Sequence, residues 1–235
     1  MIGMKRTSAT KLHQFWYSLG SRGPLYWKTR RMIAKFASKT GLVYFGAVHQ
    51  HDDEHSVIRG FTASLTHTDN HYCVGSFEGY DVLLVNRTDF LQNHDKSISS
   101  HNWMILAISL QNVRDIPHLL LRSTGPKESA YRAFFTIFPL LKEVSFGVLN
   151  KYGQEFLNRF KLYTKPSHAI EVEEIIDKDI YQALGAHFWP RSAEISGNML
   201  YIYDNNPNIT RHSLDALMQQ GVWLAQQLDK QPEED

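Results

Sequence analysis

The sequence predicts an α+β fold: a largely antiparallel sheet built from hairpins, with an N-terminal amphipathic helix and a long C-terminal helix packed on it. Two dipeptides, Glu78-Gly79 and Gly197-Asn198, each separate two short apolar runs, as expected for tight hairpin turns. Helical periodicity marks residues 24–40 before the hairpins and residues 214–228 after them. Hairpins in series with helices at the ends of the chain are typical of the α+β class.

The first predicted helix begins at Pro24, which a first helical turn tolerates, and ends before Gly41. Its apolar face consists of Leu25, Thr29, Met32, Ile33 and Phe36. Its opposite face consists of Lys28, Arg31, Lys35 and Lys39. This division predicts an amphipathic helix with a basic outer face, followed by a strand or buried turn at residues 42–48.

The middle of the chain predicts strands and one long apolar segment. Residues 72–77 and 80–85 form the first predicted hairpin, and the continuous apolar run 103–110 predicts a central strand covered on both faces. Residues 118–122 predict another short strand. Residues 131–149 are apolar nearly all round, which predicts a core helix or a cover for the sheet. The alternative is an exposed patch that contacts a partner or a membrane surface.

The last third of the chain predicts two short helices, a second hairpin and the long helix. After a strand at residues 160–163, Ser167 is expected to cap one short helix and Asp177 the next. The second hairpin joins residues 193–196 to residues 199–203. The long helix has an inward stripe that comprises Leu214, Leu217, Met218, Gly221, Leu224, Ala225 and Leu228.

The 235-residue chain has an ordinary globular composition, with 43% hydrophobic and 21% charged residues. We expect a flexible basic arm at residues 1–20, a single α+β domain at 21–230 and an acidic tail at 231–235. No apolar run reaches the roughly 20 residues of a spanning helix, and the N-terminus lacks the apolar core of a signal peptide. With Cys73 as its one cysteine, the sequence predicts a cytoplasmic protein, either free or peripheral to a membrane.

The basic residues are distributed unevenly. Residues 1–51 contain nine Lys or Arg and no Asp or Glu, whereas the remainder contains 16 basic and 24 acidic residues. Such a block predicts contact with an anionic partner; the alternative is a solvated face that pairs with carboxylates elsewhere in the fold. The candidate anion- or membrane-binding residues are Lys5, Arg6, Lys11, Lys28, Arg30, Arg31, Lys35 and Lys39. The interleaved aromatic residues Trp16, Tyr17, Tyr26 and Trp27 leave nucleic-acid binding as a further alternative.

The segment His49-Gln-His-Asp-Asp-Glu-His55 concentrates ligand types, and His49, His51 and His55 are candidate metal ligands. We interpret it instead as a surface loop that offsets the basic helix, and expect neither a metal nor a cofactor. Cys73, with His71 two residues away, could act as a nucleophile, but a small core residue is the favoured interpretation. Loop motifs for nucleotides and helical motifs for catalytic zinc are absent from the sequence.

Several short motifs follow one another along the chain. They are Thr40-Gly-Leu-Val-Tyr44, Gly75-Ser-Phe-Glu-Gly-Tyr-Asp-Val82, the run 103–110, Ile116-Pro-His-Leu119, Phe156-x3-Phe160-x-Leu162, Ile175-Ile-Asp177 and Asn198-Met-Leu-Tyr-Ile202. In this order they resemble an uncharacterised group of bacterial α+β domains that often follow transmembrane helices. The sequence departs from that group at Lys178, where proline is usual, and in having no predicted transmembrane helix. The resemblance implies one continuous domain and supplies no function.

Together these features predict a non-catalytic interaction or scaffold domain that is peripheral to a membrane through its basic N-terminal region. Its expected partners are a protein that the sequence does not identify and an anionic membrane surface. The alternatives are a nucleic-acid-binding module and a metal-dependent or cysteine enzyme that uses residues 49–55 or Cys73.

Overall fold

A computed structural model of the protein describes residues 24–46, 67–92, 97–112, 116–125, 128–145, 147, 153–205 and 208–230. Within these ranges nine strands form one sheet, and every strand pairing in it is antiparallel. Helices lie on both faces of the sheet. The predicted α+β class with a largely antiparallel sheet is therefore confirmed.

The strands follow the chain as β1 Val43–Gly46, β2 His67–Phe77, β3 Tyr80–Gln92, β4 Ile98–Ser109, β5 Leu119–Ser123, β6 Lys142–Val144, β7 Phe160–Thr164, β8 Ser192–Ser196 and β9 Met199–Asp204. Their order across the sheet is β1-β2-β3-β4-β9-β8-β5-β7-β6. Strands β1 and β6 are therefore its two edges. Both predicted hairpins are present, β2–β3 around Glu78-Gly79 and β8–β9 around Gly197-Asn198.

The α-helices are α1 Pro24–Thr40, α2 Glu128–Ile137, α3 Gln154–Arg159, α4 Ala169–Ile175, α5 Lys178–Ala183 and α6 Arg211–Asp229. A short 3-10 helix, Pro166–His168, precedes α4, and a π-helical turn, Leu184–Phe188, follows α5. Helix α6 begins with a capping box in which Thr210 and Ser213 exchange side-chain to backbone hydrogen bonds of 3.0 and 2.8 Å.

One face of the sheet is apolar and is covered by α1, α6 and the short helices α3 to α5. The row formed by Leu84, Leu106 and Ile202 is fully buried there. The predicted inward stripe of α6 is confirmed, because all seven of its members are buried. Gly221 lets α6 approach β4, since an added Cβ would lie 2.6 Å from Cδ2 of Leu106.

The opposite face of the sheet is aromatic and polar, and α2 covers part of it. Trp103, Tyr131 and Tyr203 are buried there in edge-to-face contact. The carboxylate of Glu194 is also buried. It accepts a hydrogen bond of 2.6 Å from the Tyr203 hydroxyl, and its other oxygen lies 2.7 Å from Nε2 of His118. Each oxygen of the buried Glu194 carboxylate therefore has a partner, as burial requires.

Two sequence predictions need correction. Residues 131–149 are not one element, because α2 ends at Ile137, two residues before Pro139, and residues 142–144 form the edge strand β6. The helix covers the sheet through Tyr131 and Phe134, as predicted. Ser167 does not cap a helix, since it lies inside the 3-10 turn and α4 begins two residues later without a side-chain cap. The Asp177 cap is confirmed: its Oδ1 accepts from the Ile180 amide at 2.8 Å.

Candidate anionic-surface attachment site

Helix α1 is fixed on the sheet by its apolar face. Ile33, Phe36 and Ala37 are buried against the apolar face of the sheet, where α1 contacts β1, β2 and α6. The helix ends in a defined way, since Thr40 Oγ1 donates to the Phe36 carbonyl at 3.0 Å and Gly41 adopts a φ of +77°. Because this face of α1 is buried, the opposite, cationic face points outward.

The outer face of α1 carries exposed cations. Lys28, Arg31, Lys35 and Lys39 follow one another at intervals of three and four residues, which places them on one side of the helix. All four side chains are exposed, and Arg30 is exposed beside them. Among the residues that the structure describes, only Lys39 of these five forms an ion pair, with an Nζ to Asp215 Oδ1 distance of 3.9 Å. The predicted basic outer face is therefore present, and among the described residues a carboxylate pairs with it only at Lys39.

Arg30 marks the junction between α1 and the edge strand β1. Its guanidinium carbon lies 5.1 Å from the centre of the half-exposed Trp27 ring, a cation–π distance. It is also close enough to Tyr44 and His71 to affect both side chains. Burial raises the pKa of Tyr44 and Arg30 opposes that change, whereas burial and Arg30 together lower the pKa of His71 to about 4. His71 is thus neutral at physiological pH.

The other predicted site residues are placed as follows. Lys5, Arg6 and Lys11 lie outside the described residues, and so do His49, His51 and His55 of the histidine-rich segment. Within the described ranges, no group of three or more His, Cys, Asp or Glu side chains is arranged to hold a metal ion.

The environment of Cys73 disfavours a nucleophilic role. Its side chain is fully buried in the apolar cluster, and burial raises the pKa of the thiol to about 12. Nδ1 of the neighbouring His71 is 2.8 Å from the Tyr44 hydroxyl, so this imidazole nitrogen is already engaged. Among the described residues, no cation offsets the effect of burial on this thiol. The interpretation of Cys73 as a small core residue is therefore the better one.

A buried ionic cluster on the polar face of the sheet was not predicted from the sequence. Arg87 is 1% exposed and binds Asp69 through two hydrogen bonds, Nε–Oδ1 at 2.8 Å and Nη2–Oδ2 at 2.7 Å. The Tyr72 hydroxyl donates to Asp69 Oδ2 at 2.9 Å. Burial lowers the pKa of Arg87, but the hydrogen bonds to Asp69 and the charges of Asp69 and Asp89 outweigh it and raise the pKa. The Arg87–Asp69 pair can be recognised only when the β2–β3 register is known, because that register places Asp69 opposite Arg87.

Two clefts flank α6. One, of about 260 Å³, lies between α1 and α6 and is lined by Phe36, Lys39, Thr40, Phe77, Asp215, Met218 and Gln219. The other, of about 490 Å³, lies beside the π-helical turn and is lined by Ala183, His187, Phe188, Gln219, Gln220 and Trp223. In the first cleft the Thr40 hydroxyl donates to the Phe36 carbonyl, and Lys39 Nζ lies 3.9 Å from Asp215 Oδ1. The lining residues of the second cleft include no Ser, Thr, Cys or Lys. Neither set of lining residues is therefore arranged as a nucleophile activated by a base.

The fold and the site define an α+β domain that presents a cationic helix beside one edge of an antiparallel sheet. No protein-family model and no curated protein matches the sequence. The structure is similar to the crystal structure of the mycobacterial trehalose monomycolate transport factor A, TtfA, with a TM-score of 0.54 and 12% sequence identity. The match covers 86% of this chain and 96% of that one, and it shows a shared fold. No helix among the described residues is both long and apolar enough to cross a membrane.

Proposed function

We propose that the protein is a non-catalytic interaction domain that attaches to an anionic membrane surface through the outer face of α1. The observation that carries this proposal is the set of exposed cations Lys28, Arg31 and Lys35, which have no carboxylate partner among the described residues. Exposed cations on one helix face attract anionic lipid headgroups. Salt screens this attraction, so the protein should dissociate from the membrane at higher salt.

The aromatic side chains near these cations favour a membrane over nucleic acid. Single-stranded nucleic acid is bound by aromatic rings that are free to stack on bases. Tyr26 is instead in tilted contact with His71, with ring centres 4.9 Å apart, and Trp27 is already in contact with the Arg30 guanidinium. Trp27 remains 53% exposed, which suits the headgroup depth of a bilayer. Nucleic-acid binding is therefore the second candidate.

The attachment is expected to be weak and reversible. Each Lys or Arg near an anionic surface contributes about 1 kcal/mol, so three cations contribute about 3 kcal/mol, or roughly a hundredfold in affinity. Docking of this strength needs a second contact to persist, such as a membrane protein partner. The likeness to TtfA, a mycobacterial transport factor, and the resemblance to domains that often follow transmembrane helices both suit such an accessory role. The likeness supports the fold, whereas the attachment proposal rests on α1.

Co-sedimentation with lipid vesicles tests the proposal. The full chain is mixed with phosphatidylglycerol-containing vesicles or with pure phosphatidylcholine vesicles, at low and at moderate salt. The test variant is Lys28→Gln/Arg31→Gln/Lys35→Gln. Its matched control is Lys142→Gln/Lys165→Gln/Lys178→Gln, which removes the same charge from three exposed lysines outside α1.

We expect binding to the anionic vesicles at low salt, loss of that binding in the α1 variant and retention in the control. Equal loss in both variants would show that net charge alone drives the association. An absence of binding at low salt would refute the proposal. Tighter binding to single-stranded DNA than to vesicles would establish the nucleic-acid alternative in its place.

A further inference from the structure

Strand β1 lies at the end of the strand order, and within the described part of the chain only β2 pairs with it. Edge strands are commonly protected by charged side chains or by being very short. The opposite edge, β6, is protected in this way, because it has three residues and two of them are Lys142 and Glu143. Strand β1, with the sequence Val-Tyr-Phe-Gly, has no charged residue.

The two faces of β1 differ in chemistry. Val43 and Phe45 alternate with Tyr44, so they point away from α1, and they are 56% and 60% exposed. Val74, which pairs with Val43 across the β1–β2 ladder, is also exposed and extends this apolar strip. On the other face Tyr44 is held by His71 and lies beside Arg30 of α1. A strand added to this edge would therefore meet an apolar strip on one side and a cation on the other.

The positive charge of Arg30 beside β1 determines which kind of chain can pair with this edge favourably. In a pairing of two β1 strands from two copies of this chain, the α1 helices would flank the new junction. The two Arg30 side chains, each beside its own β1, would then be brought towards each other, which costs stability. An acidic partner would instead gain from the same cations. Charge complementarity thus favours an acidic chain over a second copy.

We propose that β1 accepts an extended acidic segment of a partner protein as a tenth strand, with apolar and acidic residues alternating along it. The apolar residues of the segment pack on Val43, Phe45 and Val74. The acidic residues face Arg30. Added strands gain affinity from main-chain hydrogen bonds and specificity from alternate side chains, so this alternation is the recognition pattern.

This surface is distinct from the one that attaches to the membrane. The apolar strip lies on the sheet face opposite α1, whereas Lys28, Arg31 and Lys35 point away from the sheet on the other side. A protein attached through those cations keeps its β1 edge accessible. The two surfaces can therefore be tested with different variants.

Fluorescence anisotropy with short labelled peptides tests the proposal on the full chain. The probes are a peptide of alternating valine and glutamate, a scrambled peptide of the same composition, and a peptide of alternating valine and lysine. The test variant is Arg30→Glu, and its matched control is Lys35→Glu, an exposed position on the outer face of α1. The unfolding midpoint of each variant in urea verifies that it is folded.

We expect the alternating acidic peptide to bind more tightly than the scrambled one. Arg30→Glu should weaken binding of the alternating acidic peptide about tenfold and strengthen binding of the basic peptide. Lys35→Glu should change peptide binding less than Arg30→Glu does, although it weakens vesicle binding. If Arg30→Glu does not fold, Phe45→Gln provides a second test, since this exposed side chain is the largest of the apolar strip and glutamine removes it without adding charge; the alternating acidic peptide should then bind more weakly.

Three results would overturn the inference. The first is no binding of the alternating acidic peptide at low salt. The second is equal binding of the alternating and the scrambled peptides. The third is equal weakening by Arg30→Glu and Lys35→Glu, which would mean that the peptide is held by the general cationic field of α1 and not by the strand edge.

Discussion

Replacing Arg87 by Met should be among the most destabilising single changes in the described part of the protein. Arg87 is almost completely buried, and it donates two hydrogen bonds to the buried carboxylate of Asp69. It also interacts electrostatically with Asp89, which is fully buried. The substitution preserves most of the side-chain volume but removes the cation that compensates these carboxylates. Breaking a buried pair in this way costs about 3–5 kcal/mol.

Equilibrium unfolding in urea measures this cost. A loss of about 3–5 kcal/mol is a large fraction of the roughly 5–15 kcal/mol that stabilises an ordinary domain, so the midpoint should fall clearly. Lys161→Met is the matched control. It breaks the Lys161–Glu143 pair, which has a similar length of 3.0 Å but is exposed on both sides, and it should cost about 1 kcal/mol or less.

A double variant separates pairing from simple loss of packing. Asp69→Asn/Arg87→Met removes both charges of the pair, so it should destabilise the protein by less than the sum of the two single changes. Strict additivity would mean that the two side chains do not interact. A cost below about 1 kcal/mol for Arg87→Met alone would refute the assignment of Arg87 as a buried, compensating cation.

Two further changes are predicted for stability. The pKa of His71 is lowered from 6.5 to about 4 in the folded protein, so the unfolded chain binds the proton more tightly. The free energy of unfolding should therefore fall by up to about 3 kcal/mol as the pH falls from 6.5 to 4. His71→Asn, which suits the positive φ there, should show a smaller loss in urea unfolding over that pH range, and an unchanged pH profile would contradict the lowered pKa. Gly221→Ala should destabilise the protein by about 1–2 kcal/mol, because the added Cβ would meet the fully buried Leu106 and Ile108. This cost should exceed the gain in helix propensity, which is at most about 1 kcal/mol. A higher urea midpoint for the variant would contradict this packing.

The parts of the fold that the sequence predicts are those specified by nearby residues. The Glu78-Gly79 and Gly197-Asn198 turns indicate their hairpins because the required backbone conformation is local. The spacing of apolar residues likewise indicates α1 and α6, since each buries one face. The predicted helix cap at Ser167 was wrong because the preceding Pro166 starts a 3-10 turn. A serine hydroxyl alone does not define a helix cap.

The order of the strands could not be predicted, because it depends on contacts between residues far apart in the chain. Strand β4 pairs with β9 and β5 pairs with β8, and neither neighbour is indicated by turns or spacing. The polar beginnings of β2 and β4 were missed for a related reason. The residues at 67–70 and 98–101 are mostly hydrophilic, yet they extend the sheet around the buried Arg87.

The candidate site was predictable in composition and less so in geometry. The cationic face of α1 follows from helical spacing alone. The sequence does not distinguish Arg30 from its neighbours, and only the packing of α1 shows that it stands beside Tyr44 at the sheet edge. The position of β1 at the edge of the described sheet is likewise a property of the strand order.

Reversal of the α1 charges tests the central claim most directly. The full chain and the variant Lys28→Glu/Arg31→Glu/Lys35→Glu are each mixed at low salt with anionic, neutral and cationic vesicles. We expect the unmodified protein to bind the anionic vesicles and the variant to bind the cationic ones instead, with salt abolishing both interactions. If the variant still binds anionic vesicles, or if the unmodified protein binds neutral vesicles equally well, the outer face of α1 is not the attachment site.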